Sequence, residues 1–293
     1  MPSDDTILED RLLDRVRAFG GPVAVAYSGG ADSALVLAAA VRALKPEHVL
    51  AVTAVSESLA HGELSRARSL ADTLEVIHLT PRTEELSRLD YRANGPDRCY
   101  FCKSEVLDTI TALAHEHGFA TVATGTNADD AADPYRPGIR AGRERGIRTP
   151  LLDAGLTKAE VRRLSRHWSL PTWNKPATPC LASRLRTGIE VTPFRLARVD
   201  RAEAAVRVLL AAAGVRVTDL RVRDLGERAR VEVDPHLVAE ITTLPGLAEA
   251  LADAGFADRP YEVDSFRSGR LNSEELWSGE RERGSAPQHD AIE

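Results

Sequence analysis

Cysteine is scarce in this chain of 293 residues, which has three, and no run of uncharged apolar residues approaches the ~18 that indicate a membrane helix. The chain begins MPSDDTILEDRLL, which is acidic where a secretory signal peptide would be basic. Because disulfides are rare where glutathione keeps thiols reduced, three cysteines do not indicate a disulfide scaffold. We expect a cytoplasmic protein with no membrane partner.

An excess of positive charge is also missing. The 38 lysine and arginine residues are outnumbered by 44 acidic residues, giving a net charge of -6. An acidic total argues against broad, non-specific binding of nucleic acid, so we expect no nucleic-acid partner. The length suffices for one large or two ordinary domains with a substantial core.

Short apolar runs alternate with helical patterns over the first part of the chain. Strands that are apolar throughout are typical of a parallel sheet covered by helices on both faces. We therefore predict a doubly wound α/β domain over residues 1–170. The predicted strands are 22–27, 48–55, 75–79 and 120–125, and the predicted helices are 6–19, 34–44, 62–74 and 104–118.

The pattern changes after residue 170. Residues 171–192 are rich in proline and serine without a clear period, which indicates a linker or a functional loop. A long helix, two alternating strands and further helical sequence predict a smaller α+β domain over residues 193–270. The polar residues 271–293 have the composition of a disordered tail.

The sequence SGGADS, residues 28–33, lies between a predicted strand and a predicted helix. Gly29 and Gly30 allow a tight turn with backbone N–H groups close to an anion, which the helix N-terminus also favours. Ser28 and Ser33 add hydroxyl donors, and the carboxylate of Asp32 suits Mg²⁺ held beside phosphates. This is not a Walker A loop, since no lysine follows the glycines. A plain glycine turn before a helix is the alternative.

A second polar segment, GTNADDAAD, follows the predicted strand 120–125. It places Thr126, Asn127, Asp129 and Asp130 at the same carboxyl edge of the sheet as SGGADS. An Asx-rich turn without function is the alternative.

The cysteines lie at positions 99, 102 and 180. A lone CxxC is a weak signal: it fits a redox pair, half of a zinc site, or two ordinary thiols. A zinc site would need a fourth ligand that the sequence does not plainly offer. Three thiolates can instead hold three irons of a [4Fe–4S] cluster and leave the fourth open to sulfide, provided Cys180 comes near the pair.

SGGADS resembles the SGGxDS signature of the PP-loop ATP pyrophosphatases, which split ATP to AMP and pyrophosphate while adenylating a substrate. GTNADD is similar to the GTN-x-DD segment of that superfamily. Together with PDRCYFCK, YRPGIRA, LTKAEVR, NKPATPCLASR and FRSGRLN, these motifs resemble, in order from about residue 20 to 270, the LarE family. Its members are ATP-dependent sulfur transferases of nickel-pincer nucleotide cofactor biosynthesis.

The resemblance implies ATP, Mg²⁺ and, for the three-cysteine type, a [4Fe–4S] cluster bound by Cys99, Cys102 and Cys180. In members with one cysteine, the residue matching Cys180 is sacrificed as the sulfur donor. Cys180, Lys103 and Asp32 would be catalytic, Lys103 lying near the phosphates or the acyl-adenylate. The ATP site would comprise Ser28, Gly29, Gly30, Asp32, Ser33, Thr126, Asn127 and Asp129, and the substrate site Ser183, Arg184, Glu203, Arg221, Arg223, Asp234 and Arg267.

The implied reaction adenylates a carboxylate of pyridinium-3,5-biscarboxylic acid mononucleotide, and a sulfur nucleophile then displaces AMP to leave a thiocarboxylate. The implied partners are this nucleotide, sulfide or a sulfur-donating system, and further copies of the chain in a homo-oligomer. Three alternatives stay open: a cluster-dependent tRNA thiolase, an amidating synthetase, and a nucleotide-binding module without catalysis.

Overall fold

A computed structural model of the protein describes residues 4–132 and 136–267, so the predicted tail 271–293 lies outside the described residues. The chain divides into two compact units. The first comprises Met1–Ala182 and Glu190–Ala197, and the second comprises Ser183–Ile189 and Arg198–Glu293.

The first unit is built on a parallel sheet of four strands in the order β3-β2-β1-β4. All four predicted strands are present, each shorter than the apolar run that predicted it. Their bounds are β1 Val23–Ala26, β2 Val49–Val52, β3 Ile77–Leu79 and β4 Thr121–Ala123.

Helices cover both faces of this sheet. Val23 and Val25 of β1 pack into one apolar cluster, whereas Ala24 and Ala26 pack into a second cluster on the other face. This alternation is what a strand buried on both sides requires, and it confirms the predicted α/β architecture. The helices are α1 Asp4–Arg17, α2 Ala31–Leu44, α3 Glu63–Thr73, α4 Leu89–Arg92, α5 Arg98–Glu116, α6 Ala128–Ala132, α7 Pro137–Glu144, α8 Pro150–Asp153 and α9 Lys158–His167.

Helix α5 begins at Arg98, six residues before the predicted start at residue 104. The turn residues are Gly95, Pro96 and Asp97, and no glycine or proline follows them until Gly118. The extension is important for the site, because it places both cysteines of the CxxC pair in the first turns of a helix.

The strand order creates a crevice at one edge of the sheet. From β1 the chain moves outward through β2 and β3, and it then returns to the other side of β1 as β4. The loops that follow β1 and β4 therefore leave the sheet in opposite directions, which is where open α/β sheets bind ligands. These loops carry SGGADS and GTNADD.

The second unit contains a three-stranded sheet in which β5 and β6 are antiparallel and β6 and β7 are parallel. Strand β7 was not predicted from the sequence. The second unit contains most of α10 Pro193–Ala212, together with β5 Leu220–Asp224, β6 Ala229–Val233, α11 Val238–Thr242, α12 Leu247–Leu251 and β7 Tyr261–Ser265. Over the described part of the chain, no helix has the length and apolar character to cross a membrane.

Candidate functional site

The loop between β1 and α2 has the geometry of an anion site. Gly29 has a φ of 73°, in the left-handed region that favours glycine. Gly30 is the N-cap residue of α2 and has no side chain to accept from the first helical N–H groups, so they face the crevice for an anion. The hydroxyls of Ser28 and Ser33 lie 3.1 Å apart.

Asp32, in the first turn of α2, is held by two side chains. The Asn127 amide donates to one carboxylate oxygen over 3.0 Å, and the Lys158 ammonium pairs with the other. Asn127 itself is buried and accepts from the backbone N–H of Asp130. The structure thus brings SGGADS and GTNADD together at the edge where the sequence places them.

The other polar residues of GTNADD hold the backbone. Asp129 accepts from the Lys158 N–H over 2.8 Å, and Asp130 contacts the Asn127 N–H over 3.3 Å. The hydroxyl of Thr126 lies 3.3 Å from that of Thr124. Of the three acids Asp32, Asp129 and Asp130, Asp32 is the one in the first turn of α2, the helix that follows the phosphate loop.

Two lysines that sequence reasoning did not select contact this edge. Lys158 pairs with Asp32. The ammonium of Lys175 donates to the Gly29 carbonyl over 2.8 Å and to Glu63 over 2.6 Å. A signal for them exists, because only four of the 38 basic residues are lysines, at positions 45, 103, 158 and 175. Two of these four lysines, Lys158 and Lys175, contact this edge of the sheet.

The segment that carries Cys180 is bonded to α5, because Arg98 donates to the Ala182 carbonyl. Burial raises the pKa of the Cys102 thiol, and the charges of Cys180, Glu85 and Cys99 raise it further. The buried Glu85 carboxylate lies 3.9 Å from the Cys102 sulfur. Cys99 and Cys102 form no disulfide. That all three thiols meet at one site stays a prediction.

Arg98 holds the segment that follows Cys180. Its guanidinium donates to the Ala182 carbonyl over 2.8 Å, and it also contacts Asn94. Burial lowers the pKa of Arg98, but the charges of Cys180 and Cys99 raise it by more. Leu181 donates its N–H to the Ser58 carbonyl over 2.8 Å, so the cysteine segment is fixed from two sides.

The three thiols are the candidate ligands of an iron–sulfur cluster. Within residues 4–132 and 136–267, no group of three or more His, Cys, Asp or Glu side chains is placed to hold a metal ion. Thiolates are the usual ligands of iron and sulfide, so the chemistry of the donor set suits a cluster. The three cysteines have not converged on a common ligand position.

Lys103 follows Cys102 on α5, and α7 packs over it. A Cβ on Gly138 of α7 would lie 3.5 Å from the Lys103 Cβ. Burial lowers the pKa of Lys103, although the neighbouring Cys102 raises it. A desolvated ammonium next to the thiols can interact strongly with an anion that reaches it.

The predicted substrate residues of the second unit include a buried charge network. Arg184, which has no exposed surface, pairs with Glu203 through two hydrogen bonds of 2.8 and 3.1 Å. Arg223 pairs with Glu232 and donates to the Ser183 carbonyl over 2.8 Å. Burial lowers the pKa of Arg221, and the charge of Arg184 lowers it further.

Two other predicted substrate residues have different surroundings. The Asp234 carboxylate accepts from the backbone N–H groups of Thr218 and Asp219, over 2.7 and 3.4 Å, and so fixes the turn before β5. Arg267 is exposed at the end of the described residues.

Comparison with known proteins places the chain in a family, although no protein-family model matches it. A Synechocystis protein of uncharacterised function is 39% identical over 272 residues, or 91% of this chain and 98% of that protein. The pyridinium-3,5-bisthiocarboxylic acid mononucleotide synthase of Lactiplantibacillus plantarum is 33% identical over 251 residues, or 85% of this chain and 88% of the synthase. The chain belongs to the LarE family.

A more distant relative identifies the wider group. A tRNA(Ile)-lysidine synthase of Salinispora tropica is 30% identical over 194 residues, or 59% of this chain and 56% of that enzyme. Similarity to both synthases indicates that this LarE-family chain is an ATP-using enzyme of the PP-loop superfamily. The family and superfamily predictions are thus confirmed, whereas the three-cysteine type stays a prediction.

Proposed function

We propose that the protein is an ATP-dependent sulfur transferase that converts a carboxylate of pyridinium-3,5-biscarboxylic acid mononucleotide to a thiocarboxylate. The observation that carries the proposal is the Arg98 bond to the Ala182 carbonyl, which holds the Cys180 segment on the helix of Cys99 and Cys102, in the unit that also contains the phosphate loop. A PP-loop supplies an activated carboxylate, and thiols supply a sulfur nucleophile. The name of the Lactiplantibacillus relative supports this substrate.

In the first step, ATP binds with its phosphates on the N–H groups after Gly29. Asp32 would hold Mg²⁺, which when bound would neutralise charge on the phosphates. The Lys158 ammonium beside Asp32 would contribute further positive charge. The substrate carboxylate attacks the α-phosphorus, the bond to the β-phosphate oxygen breaks, and pyrophosphate leaves. This activation is needed because a carboxylate is a poor electrophile, whereas AMP leaves readily from an acyl-adenylate.

In the second step, sulfur attacks the acyl carbon and AMP leaves. A thiol must first lose its proton to act as the nucleophile. If Cys180 is sacrificed, its thioester eliminates: the Cα proton is lost, the Cβ–S bond breaks, and dehydroalanine remains beside the thiocarboxylate product. In this proposal, Lys103 contacts the acyl-adenylate or its phosphate.

The alternative source is catalytic. Cys99, Cys102 and Cys180 would hold three irons of a [4Fe–4S] cluster, which when bound would supply an exchangeable sulfide on its fourth iron. The chain's own contribution is to hold the Cys180 segment on α5 through the Arg98 contact with Ala182. Sulfide or a sulfur-donating system would reload the site.

The phosphate of the mononucleotide binds, in this proposal, to the second unit. A guanidinium is a planar fork of donors that suits phosphate oxygens. The proposed substrate residues are Ser183, Arg184, Glu203, Arg221, Arg223, Asp234 and Arg267.

Substrate-dependent release of pyrophosphate tests the ATP step. The Asp32→Ala variant should lose this release by at least about a hundredfold, because the proposed magnesium ligand is gone. Asp72→Ala, which removes an exposed acid on α3, should behave like the wild type. A folded Asp32→Ala variant that releases pyrophosphate at the wild-type rate would contradict the assignment of the loop.

The source of sulfur is tested by anaerobic iron and sulfide analysis together with the protein mass after turnover. Cluster chemistry predicts bound iron, many turnovers on added sulfide and an unchanged mass. Cys99→Ala and Cys102→Ala should then each stop multiple turnover while pyrophosphate release largely survives. One turnover with loss of the mass of H₂S at Cys180 would instead establish sacrifice of that residue and contradict the cluster.

A further inference from the structure

Lys175 connects the cysteine-bearing segment to the phosphate loop. Its side chain is 14% exposed, and its ammonium donates to the Gly29 carbonyl over 2.8 Å and to Glu63 over 2.6 Å. Five residues further on comes Cys180, and Leu181 is bonded to the Ser58 carbonyl. The segment 175–181 is therefore fixed at both ends, to Glu63 of α3 and to the loop before it.

The Gly29 carbonyl belongs to the peptide that the proposed phosphates contact. In a planar trans peptide the C=O and the next N–H point in opposite directions. A carbonyl held by Lys175 therefore fixes the Gly30 N–H on the opposite side of the same peptide. Without this contact the peptide could rotate at low cost, because both flanking residues are glycines.

Glu63 gives Lys175 a rigid anchor. The Glu63 side chain is 6% exposed and also accepts from Arg66 over 2.5 Å. Helix α3 packs directly on the loop, since a Cβ on Gly29 would lie 3.3 Å from the Ala67 Cβ. Because Glu63 balances its charge, Lys175 is suited to orient the peptide more than to attract phosphate itself.

We propose that Lys175 is a positioning residue that keeps the Gly29–Gly30 peptide turned toward the pyrophosphate portion of ATP. It also ties that peptide to the segment that presents Cys180. The inference rests on the proposed use of ATP, and it adds a role that the family similarity does not assign. Its direct consequence is that Lys175 affects affinity for phosphates beyond the adenosine, and not affinity for adenosine.

The test compares Lys175→Met with Lys175→Arg, and Lys45→Met is the matched control because that lysine is exposed at the far end of α2. Calorimetry measures binding of inorganic pyrophosphate and of adenosine separately, and steady-state kinetics measure KM for ATP and kcat of pyrophosphate release. Because a hydrogen bond from a charged donor is lost, we expect Lys175→Met to bind pyrophosphate about tenfold more weakly. Its KM for ATP should be about tenfold higher. Adenosine binding should not change, and Lys175→Arg should recover part of the loss.

Two outcomes overturn the inference. One is wild-type pyrophosphate affinity in folded Lys175→Met, and the other is an equal loss of adenosine and pyrophosphate binding. If Lys175→Met does not fold, Glu63→Gln carries the test, because it loosens the same ammonium and should weaken pyrophosphate binding selectively. A wild-type protein that binds pyrophosphate but never releases it from ATP would instead contradict the proposed function and leave this role standing.

Discussion

At the scale of single residues, the phosphate loop is organised by charges that neutralise one another. Lys158 faces Asp32, and Lys175 faces Glu63, so each lysine that reaches the loop does so with an acid. A motif identifies the loop but not these partners, since Glu63, Lys158 and Lys175 lie 34, 129 and 146 residues after Gly29. Glu63 and the two lysines therefore could not be predicted by spacing, although the scarcity of lysine was a usable signal.

The Glu63 carboxylate gives a pH-dependent contribution to stability. Burial raises its pKa, but hydrogen bonds and charges from Lys175 and Arg66 lower it by more, so that it falls below its ordinary value of 4.5. Tyr27 also interacts with Glu63. The Tyr27 hydroxyl stays protonated, because burial and the Glu63 charge raise its pKa. A carboxyl whose pKa falls on folding stabilises the folded state above its unfolded pKa, and that contribution is lost as the pH drops toward the folded pKa.

We therefore expect Glu63→Gln to lower the free energy of unfolding by about 2 kcal/mol near pH 7. The difference from the wild type should shrink below about pH 4.5, the ordinary pKa of the carboxyl. Urea unfolding at pH 7, 5 and 4 measures it. A difference that stays constant down to pH 4 would show that the ionised carboxylate is not what stabilises this contact.

At the scale of elements, the site depends on β4 ending tightly against the start of α2. The contact is made possible by Gly125: a Cβ there would lie 2.6 Å from the Ser33 nitrogen and 2.8 Å from the Asp32 carbonyl carbon. The apolar runs predicted every strand of this sheet. The crevice follows from the order of these strands in the structure. The early start of α5 was missed, because CxxC was treated as a motif outside the helix.

The Gly125→Ala variant tests this contact. Because both opposing atoms are backbone, the first turn of α2 must shift, at a cost of roughly 1–3 kcal/mol. We expect the free energy of unfolding to fall by that amount and KM for ATP to rise at least about tenfold. Gly21→Ala is the control, since a Cβ there meets nothing within 4 Å and the backbone is not left-handed. Equal behaviour of the two variants would refute the close approach.

At the scale of the whole molecule, the motifs predicted the family and the superfamily, whereas the residue roles stay predictions. The family motifs lie in loops at the sheet edge. Few loop conformations bring their ligand groups together, so these motifs are specific indicators of the family. The charges of the second unit were selected by resemblance alone. The structure shows Arg184 and Glu203 as a buried pair that also stabilises this unit, which no sequence period could reveal.

The proposed function requires that ATP activation end in a carbon–sulfur bond on a carboxylate. The most direct measurement is the product mass after incubation with ATP, Mg²⁺, pyridinium-3,5-biscarboxylic acid mononucleotide and sulfide, with pyrophosphate counted in parallel. We predict replacement of a carboxylate oxygen by sulfur, with one pyrophosphate released for each sulfur introduced. Pyrophosphate release that accompanies an amide product, or that requires tRNA in place of the mononucleotide, would contradict it.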